Sequence, residues 1–168
     1  MAVVSNASPL IILSRIGRLS ILYDLFKEIH ITKAIYDEVV IHGARRPGSK
    51  EVREASKNWL RVHPTPSPKA LRIYQQPRRL GPADASVLAL AKELSAISVV
   101  IDDLSLRTSA QKHGLIIVGT GEILVRAKLV GLTPSVRELI EQAIAQGLRL
   151  GKPVKDRILK RAGELEEN

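Results

Sequence analysis

The sequence predicts an α/β protein: a central, mainly parallel sheet with helices on both faces. Three observations carry that expectation. Short β-branched runs alternate along the chain with longer stretches whose apolar residues recur every three or four positions. Few hairpin signals separate the runs, so successive strands are joined through helices and lie parallel. A chain of 168 residues, 45% hydrophobic, is long enough to bury one core.

The elements follow in order. Ala2 to Val4 reads as a strand that stops at the polar cluster Ser5-Asn6-Ala7-Ser8, placed either to cap a helix or to line a site. Leu10 to Leu13 and Leu19 to Phe26 read as helix, broken near Gly17. Ile29 to Ile31 is a strand, and Thr32 is placed to cap a helix over Lys33 to Ile41. A loop rich in Gly, Pro and Arg runs from His42 to Ser49. Glu51 to Asn58 reads as helix, Leu60 to Val62 as strand, and Pro64 to Pro68 as a linker or turn. Gly81-Pro82 opens a helix to about Leu94, with proline in the first turn, where its missing N–H costs nothing. Val99 to Ile101 is a strand. Leu104 to His113 is a helix ended by Gly114. Leu115 to Val118 is the last strand, and helices follow over Glu122 to Val130, Val136 to Gln146 and around Lys152 to Glu164.

Composition removes several classes of function. With no cysteine there are no disulfides, thiolate metal sites or cysteine nucleophiles. No run of about 18 apolar residues exists to span a membrane, and the first residues lack the basic and apolar regions of a signal peptide. The cytoplasm is the expected compartment. A net charge of +9 favours a polyanionic partner, most simply nucleic acid. Basic residues gather at Arg45-Arg46 with Lys50, at Arg78-Arg79, and from Arg149 to Arg161; Arg45, Arg46, Arg78 and Arg79 are the expected nucleic-acid contacts. Aromatic residues are only 3%, too few for base-stacking platforms, so contacts would go mainly to phosphates.

In parallel α/β sheets ligands bind outside the carboxyl ends of the strands. The polar residues expected there are Asn6 and Ser8, Asp102 and Asp103, Gly119 and Thr120, and Asp84 in the first turn of the helix opened by Pro82. Asp84 continues the stripe of Val87, Leu88, Ala91 and Leu94, so it points toward the sheet side; the competing reading is an acid favoured by the helix dipole. One of Asp102-Asp103 could serve only as a helix cap, yet two adjacent carboxylates repel and a nearby cation relieves them. Glu38 shares a partly apolar helix face but lies well along its helix, where an edge glutamate is the alternative. Oxygen ligands without cysteine point to Mg²⁺ or Mn²⁺, and with a basic body the economical reaction is phosphodiester hydrolysis. Other features are bland. Gly119-Thr120-Gly121 lacks the third glycine of a dinucleotide fingerprint, the four histidines are scattered, and Trp59 and Phe26 read as packing residues.

Taken together, VVSNASPLI, LFKEIHITKAIYDEVV, LGPADASVLALAKEL, VVIDDLSLRTSAQKHGL, IIVGTGEIL and the ending LRLGKPVKDRILKRAGE resemble the PIN-domain family, and more closely its VapC-like branch. The resemblance covers nearly the whole chain. It implies a Rossmann-like three-layer α/β/α sandwich, with residues 1–146 as a PIN-like nuclease domain and 147–168 as a basic helical extension of it. It also implies metal-dependent endoribonuclease activity with Mg²⁺ or Mn²⁺, homodimers, and in many members a toxin silenced by an antitoxin protein. Residue by residue, the family's acids match Glu38, Asp84 and Asp102 or Asp103 as catalytic, with Asp84, Asp102 and Asp103 on the metal, while Ser8 and Thr120 match supporting hydroxyls. Asn6 stands where the family's first acid would be, and its neutral carbonyl is a weaker cation ligand than a carboxylate. The alternative is therefore a catalytically weak or inactive PIN-like protein that binds RNA or a protein partner.

Overall fold

The computed structural model describes residues 1–76 and 80–166; Arg78 and Arg79 lie outside the described residues. Five strands form one all-parallel sheet: β1 (Val3–Ser5), β2 (Ile29–Thr32), β3 (Leu60–His63), β4 (Ser98–Val100) and β5 (Ile117–Val118). The spatial order is β3-β2-β1-β4-β5. Val4 pairs with His30 on one side of β1, and Val3, Val4 and Ser5 pair with Ser98, Val99 and Val100 on the other. Every residue of β1 and β4 is buried. Because successive side chains point to opposite faces, that burial requires cover on both faces, the condition of a three-layer sandwich.

Ten α-helices supply the cover among the described residues: α1 (Ala7–Arg15), α2 (Ser20–Phe26), α3 (Lys33–Tyr36), α4 (Ser49–Ala55), α5 (Pro68–Gln75), α6 (Pro82–Glu93), α7 (Leu104–Lys112), α8 (Thr120–Leu129), α9 (Val136–Ala145) and α10 (Lys152–Arg161). None is long and apolar enough to cross a membrane. One large core joins sheet and helices through Leu10, Leu13, Leu22, Ile31, Ile35, Leu88, Val99, Ile101 and Ile123. Thr32 caps α3 as expected, its Oγ1 accepting from the Ile35 N–H at 3.2 Å. Gly17 and Gly114 take positive φ at the ends they were expected to mark.

Three elements depart from expectation. Pro64 to Pro68 reads as a turn, yet Pro68 begins α5, with Ser67 Oγ accepting from the Ala70 N–H at 3.3 Å. This helix buries Leu71 against Ala85 and Ala89 of α6; serine before proline was a cap signal. The last strand shrinks to two residues, although the Val99 N–H still bonds to Ile116 O and the Ile101 N–H to Val118 O. The helix after β2 begins as α3 and widens into a π-turn over Asp37–Ile41. The histidines are not all scattered. The β2–β3 register, Thr32 opposite His63, brings His30 Nδ1 within 2.7 Å of His63 Nε2, with Glu28 at 3.0 Å from His30 Nε2.

Candidate active site at the switch point of the sheet

From β1 the chain winds outward to β2 and β3, then crosses back to add β4 and β5 on the other side. The carboxyl ends of β1 and β4 therefore flank the point where strand order reverses, where α/β sheets open a crevice. Asn6 and Asp102-Asp103 follow those two ends. The Asn6 N–H donates to Val100 O at 3.0 Å, locking the two ends together.

Asn6 occupies the cap position of α1 by its backbone, at φ −83° and ψ 173°, but its side chain makes no capping bond. Asparagine is a strong capping residue, so another demand holds the amide. It is 5% exposed, its side chain favours the charged form of Asp84 through a hydrogen bond, and its Oδ1 has no protein partner. A buried carbonyl oxygen without a donor is costly unless a ligand meets it.

Asp84 stands in the first turn of α6. Burial raises its pKa, and the charge of Asp103 raises it further. Glu38 lies on the π-turn, an irregularity frequent at functional sites. Its pKa is also raised, first by desolvation and then by Asp84, against a smaller pull from His42. Segments far apart in sequence thus bring Glu38, Asp84 and Asp103 into one repelling series.

The adjacent pair divides. Asp103 caps α7, its Oδ1 accepting from the Leu106 N–H at 2.8 Å, and faces Asp84. Asp102 turns the other way. Its Oδ1 accepts from the Thr120 N–H at 2.8 Å and its Oδ2 from Thr120 Oγ1 at 2.5 Å. Desolvation still raises the Asp102 pKa, against those bonds and the charge of Arg107. Gly119 lies directly against this carboxylate: a Cβ there would meet Asp102 Oδ1 at 3.4 Å, an ordinary contact. Thr120 thus serves Asp102 and fastens the β4–α7 turn to the start of α8. Ser8, Asp102, Asp103 and Arg149 line a cleft of about 290 Å³. Arg149 was not singled out from the sequence, although the basic run it begins was visible. Arg45 and Arg46 lie on the loop after the π-turn and, with Lys50 and Arg53, line a groove of about 630 Å³.

Among the described residues no three histidine or acidic side chains are grouped closely enough to hold one ion. The donor chemistry nevertheless fits a hard cation: Asp84, Asp103 and the unpartnered Asn6 Oδ1 are oxygen donors, two of them mutually repelling. Mg²⁺ is commonly held by one or two carboxylates with waters and substrate phosphate, not by an all-protein cage.

A family model described as a PIN domain matches residues 2–164. No curated protein matches the chain.

Proposed function

Since the chain belongs to the PIN-domain family, whose members are generally nucleases, we propose that it is a divalent-metal-dependent endoribonuclease acting at the β1–β4 crevice. The observation that carries this reading is the electrostatic series Glu38–Asp84–Asp103 beside the orphaned Asn6 oxygen. Such repulsion is unfavourable in the free protein and is relieved by a cation.

Asp84 and Asp103 would hold Mg²⁺ or Mn²⁺, with Asn6 Oδ1 as a neutral third donor. When bound, the ion supplies Lewis-acid stabilisation of charge on the phosphate and a more acidic water. Glu38, whose pKa is raised by desolvation and by the Asp84 charge, would take the proton of the attacking water as general base. Asp102 acts as a positioning residue: its bonds to Thr120 hold the turn that aims Asp103. Arg149 in the rim cleft, and Arg45 and Arg46 in their own groove, bind RNA phosphates. A toxin role, with a homodimer silenced by an antitoxin, belongs to this same reading.

The test is cleavage of single-stranded RNA with and without Mn²⁺. Asp84→Asn is expected to lower metal-dependent cleavage by about 10²–10⁴-fold; equal rates in the two proteins would refute the assignment.

Asn6 itself favours a second reading, an RNA-binding protein with weak or no catalysis, because an amide replaces a charged ligand at a buried position of the site. Asn6→Asp separates the two. It is expected to tighten Mn²⁺ binding in either case, measured by calorimetry. Cleavage that appears only in the variant identifies the natural protein as the weak form.

A further inference from the structure

Behind Asp102, on its Thr120 side, lies a second cleft of about 270 Å³ between the starts of α7 and α8 and the C-terminal helix α10. Its charged lining is Asp102, Arg107, Glu122, Arg157 and Arg161, and Val154 and Ile158 of α10 form an apolar wall. The cleft depends on close helix packing: a Cβ on Gly121 would fall 2.3 Å from Ile158 Cδ1. A side chain at 121 would have to displace the Ile158 side chain from its place against α8.

The charges do not cancel. Glu122 is taken up by Arg126, at 3.2 Å, and by both terminal nitrogens of Arg161. Asp102 is satisfied by Thr120. Among the described residues Arg107 and Arg157 have no carboxylate within ion-pair distance. Arg107 feels the Asp102 charge without reaching it, and Arg157 is exposed. Two guanidinium groups therefore face a cleft sized for a nucleotide unit and not for a helix. Asp102 is also a wall of the rim cleft that holds Ser8, Asp103 and Arg149. The two clefts therefore adjoin at Asp102.

We propose that this cleft is a second phosphate subsite for single-stranded RNA, seating a linkage next to the one at the acidic rim. Arg107 and Arg157 supply forked, charge-assisted hydrogen bonds to the phosphate oxygens. Val154 and Ile158 lie under the sugar or base. The subsite makes α10 part of the substrate surface; it rests on the RNA reading above for the identity of the polyanion, but not on cleavage.

Binding of fluorescein-labelled oligo(U) in EDTA, over a range of salt, tests it without catalysis. Arg107→Ala/Arg157→Ala is expected to weaken binding about tenfold or more, and to lower the log–log salt slope by about 1.4, two contacts at 0.7 each. Arg157→Ala alone, at an exposed position safe for folding, is expected to lower it by about 0.7. Arg107→Lys/Arg157→Lys is expected to retain the slope and lose part of the affinity, because lysine keeps the charge without the fork. Lys92→Ala/Lys112→Ala removes the same charge at the opposite ends of α6 and α7 and sets the effect of net charge alone. Equal losses in the Arg and Lys92/Lys112 variants overturn the subsite, as does failure of the wild type to bind. A wild type that cleaves RNA, with unchanged binding in the Arg double variant, removes the subsite and leaves the nuclease reading intact. Arg-dependent binding by a protein that never cleaves does the reverse.

Discussion

At the scale of single residues, Asn6 and Asp84 show how far the site departs from what stability alone would select. Asn6 forgoes a capping bond worth about 1 kcal/mol in typical helices, and Asp84 ionises against burial and Asp103. A carboxyl whose folded pKa is raised favours the fold below its unfolded pKa and loses that contribution as pH rises through the folded value. At neutral pH Asp84 therefore strains the metal-free protein. Asp84→Asn is expected to raise Tm in EDTA by roughly 2–4 °C, the response of a chain this size to about 1 kcal/mol. Mn²⁺ is expected to raise Tm of the wild type and leave the variant unmoved, because only a state that binds the ion gains from it. Differential scanning fluorimetry reads both; a lower Tm for the variant in EDTA contradicts the electrostatic account. The positions of Asp84 and Asp103 were legible in the sequence because helical spacing and strand ends predict direction. The division of labour between Asp102 and Asp103 was not, because it turns on Thr120, which lies 18 residues from Asp102 and reaches it only through the sheet.

Among the elements, the helix termini carry the most distinctive chemistry. Glu164 closes the start of α9: its carboxylate accepts from the Val136 and Arg137 N–H groups at 2.7 and 3.0 Å, from Ser135 Oγ at 3.1 Å, and pairs with Lys128 at 3.1 Å. These donors hold its pKa down to about 2, against burial. A depressed carboxyl stabilises the fold fully above its unfolded pKa and ceases to do so as pH falls through the folded value. The loss therefore falls between about pH 4.5 and 2. Glu164→Gln is expected to cost about 1–3 kcal/mol at pH 7 and nothing below pH 2, measured by urea unfolding at the two pH values. Gly121→Val is expected to destabilise by about 1–3 kcal/mol by overpacking and to expose α10 to proteolysis. Most helices were legible from periodicity. The π-turn beneath Glu38 was not, since one extra residue per turn leaves no mark on an apolar stripe this short, and α5 was hidden by the prolines around Ser67.

For the molecule as a whole, the parallel sheet could be read from the alternation of runs and helices, but the strand order could not: only the crossover from β3 to β4 puts β1 at the centre. Charge acts at this scale too. With +9 on the chain, RNA affinity is expected to fall linearly in log–log plots against salt; a flat plot excludes a phosphate-led interface. The order of strands also bears on synthesis. Asn6 leaves the ribosome early, whereas Asp103 emerges only after most of the chain, and β4 must then slot in beside β1 before the two can face one another. Closing so distant a contact is slow. A chain that stops short of β4 lacks the paired ends entirely, and with them the crevice between Asn6 and Asp103.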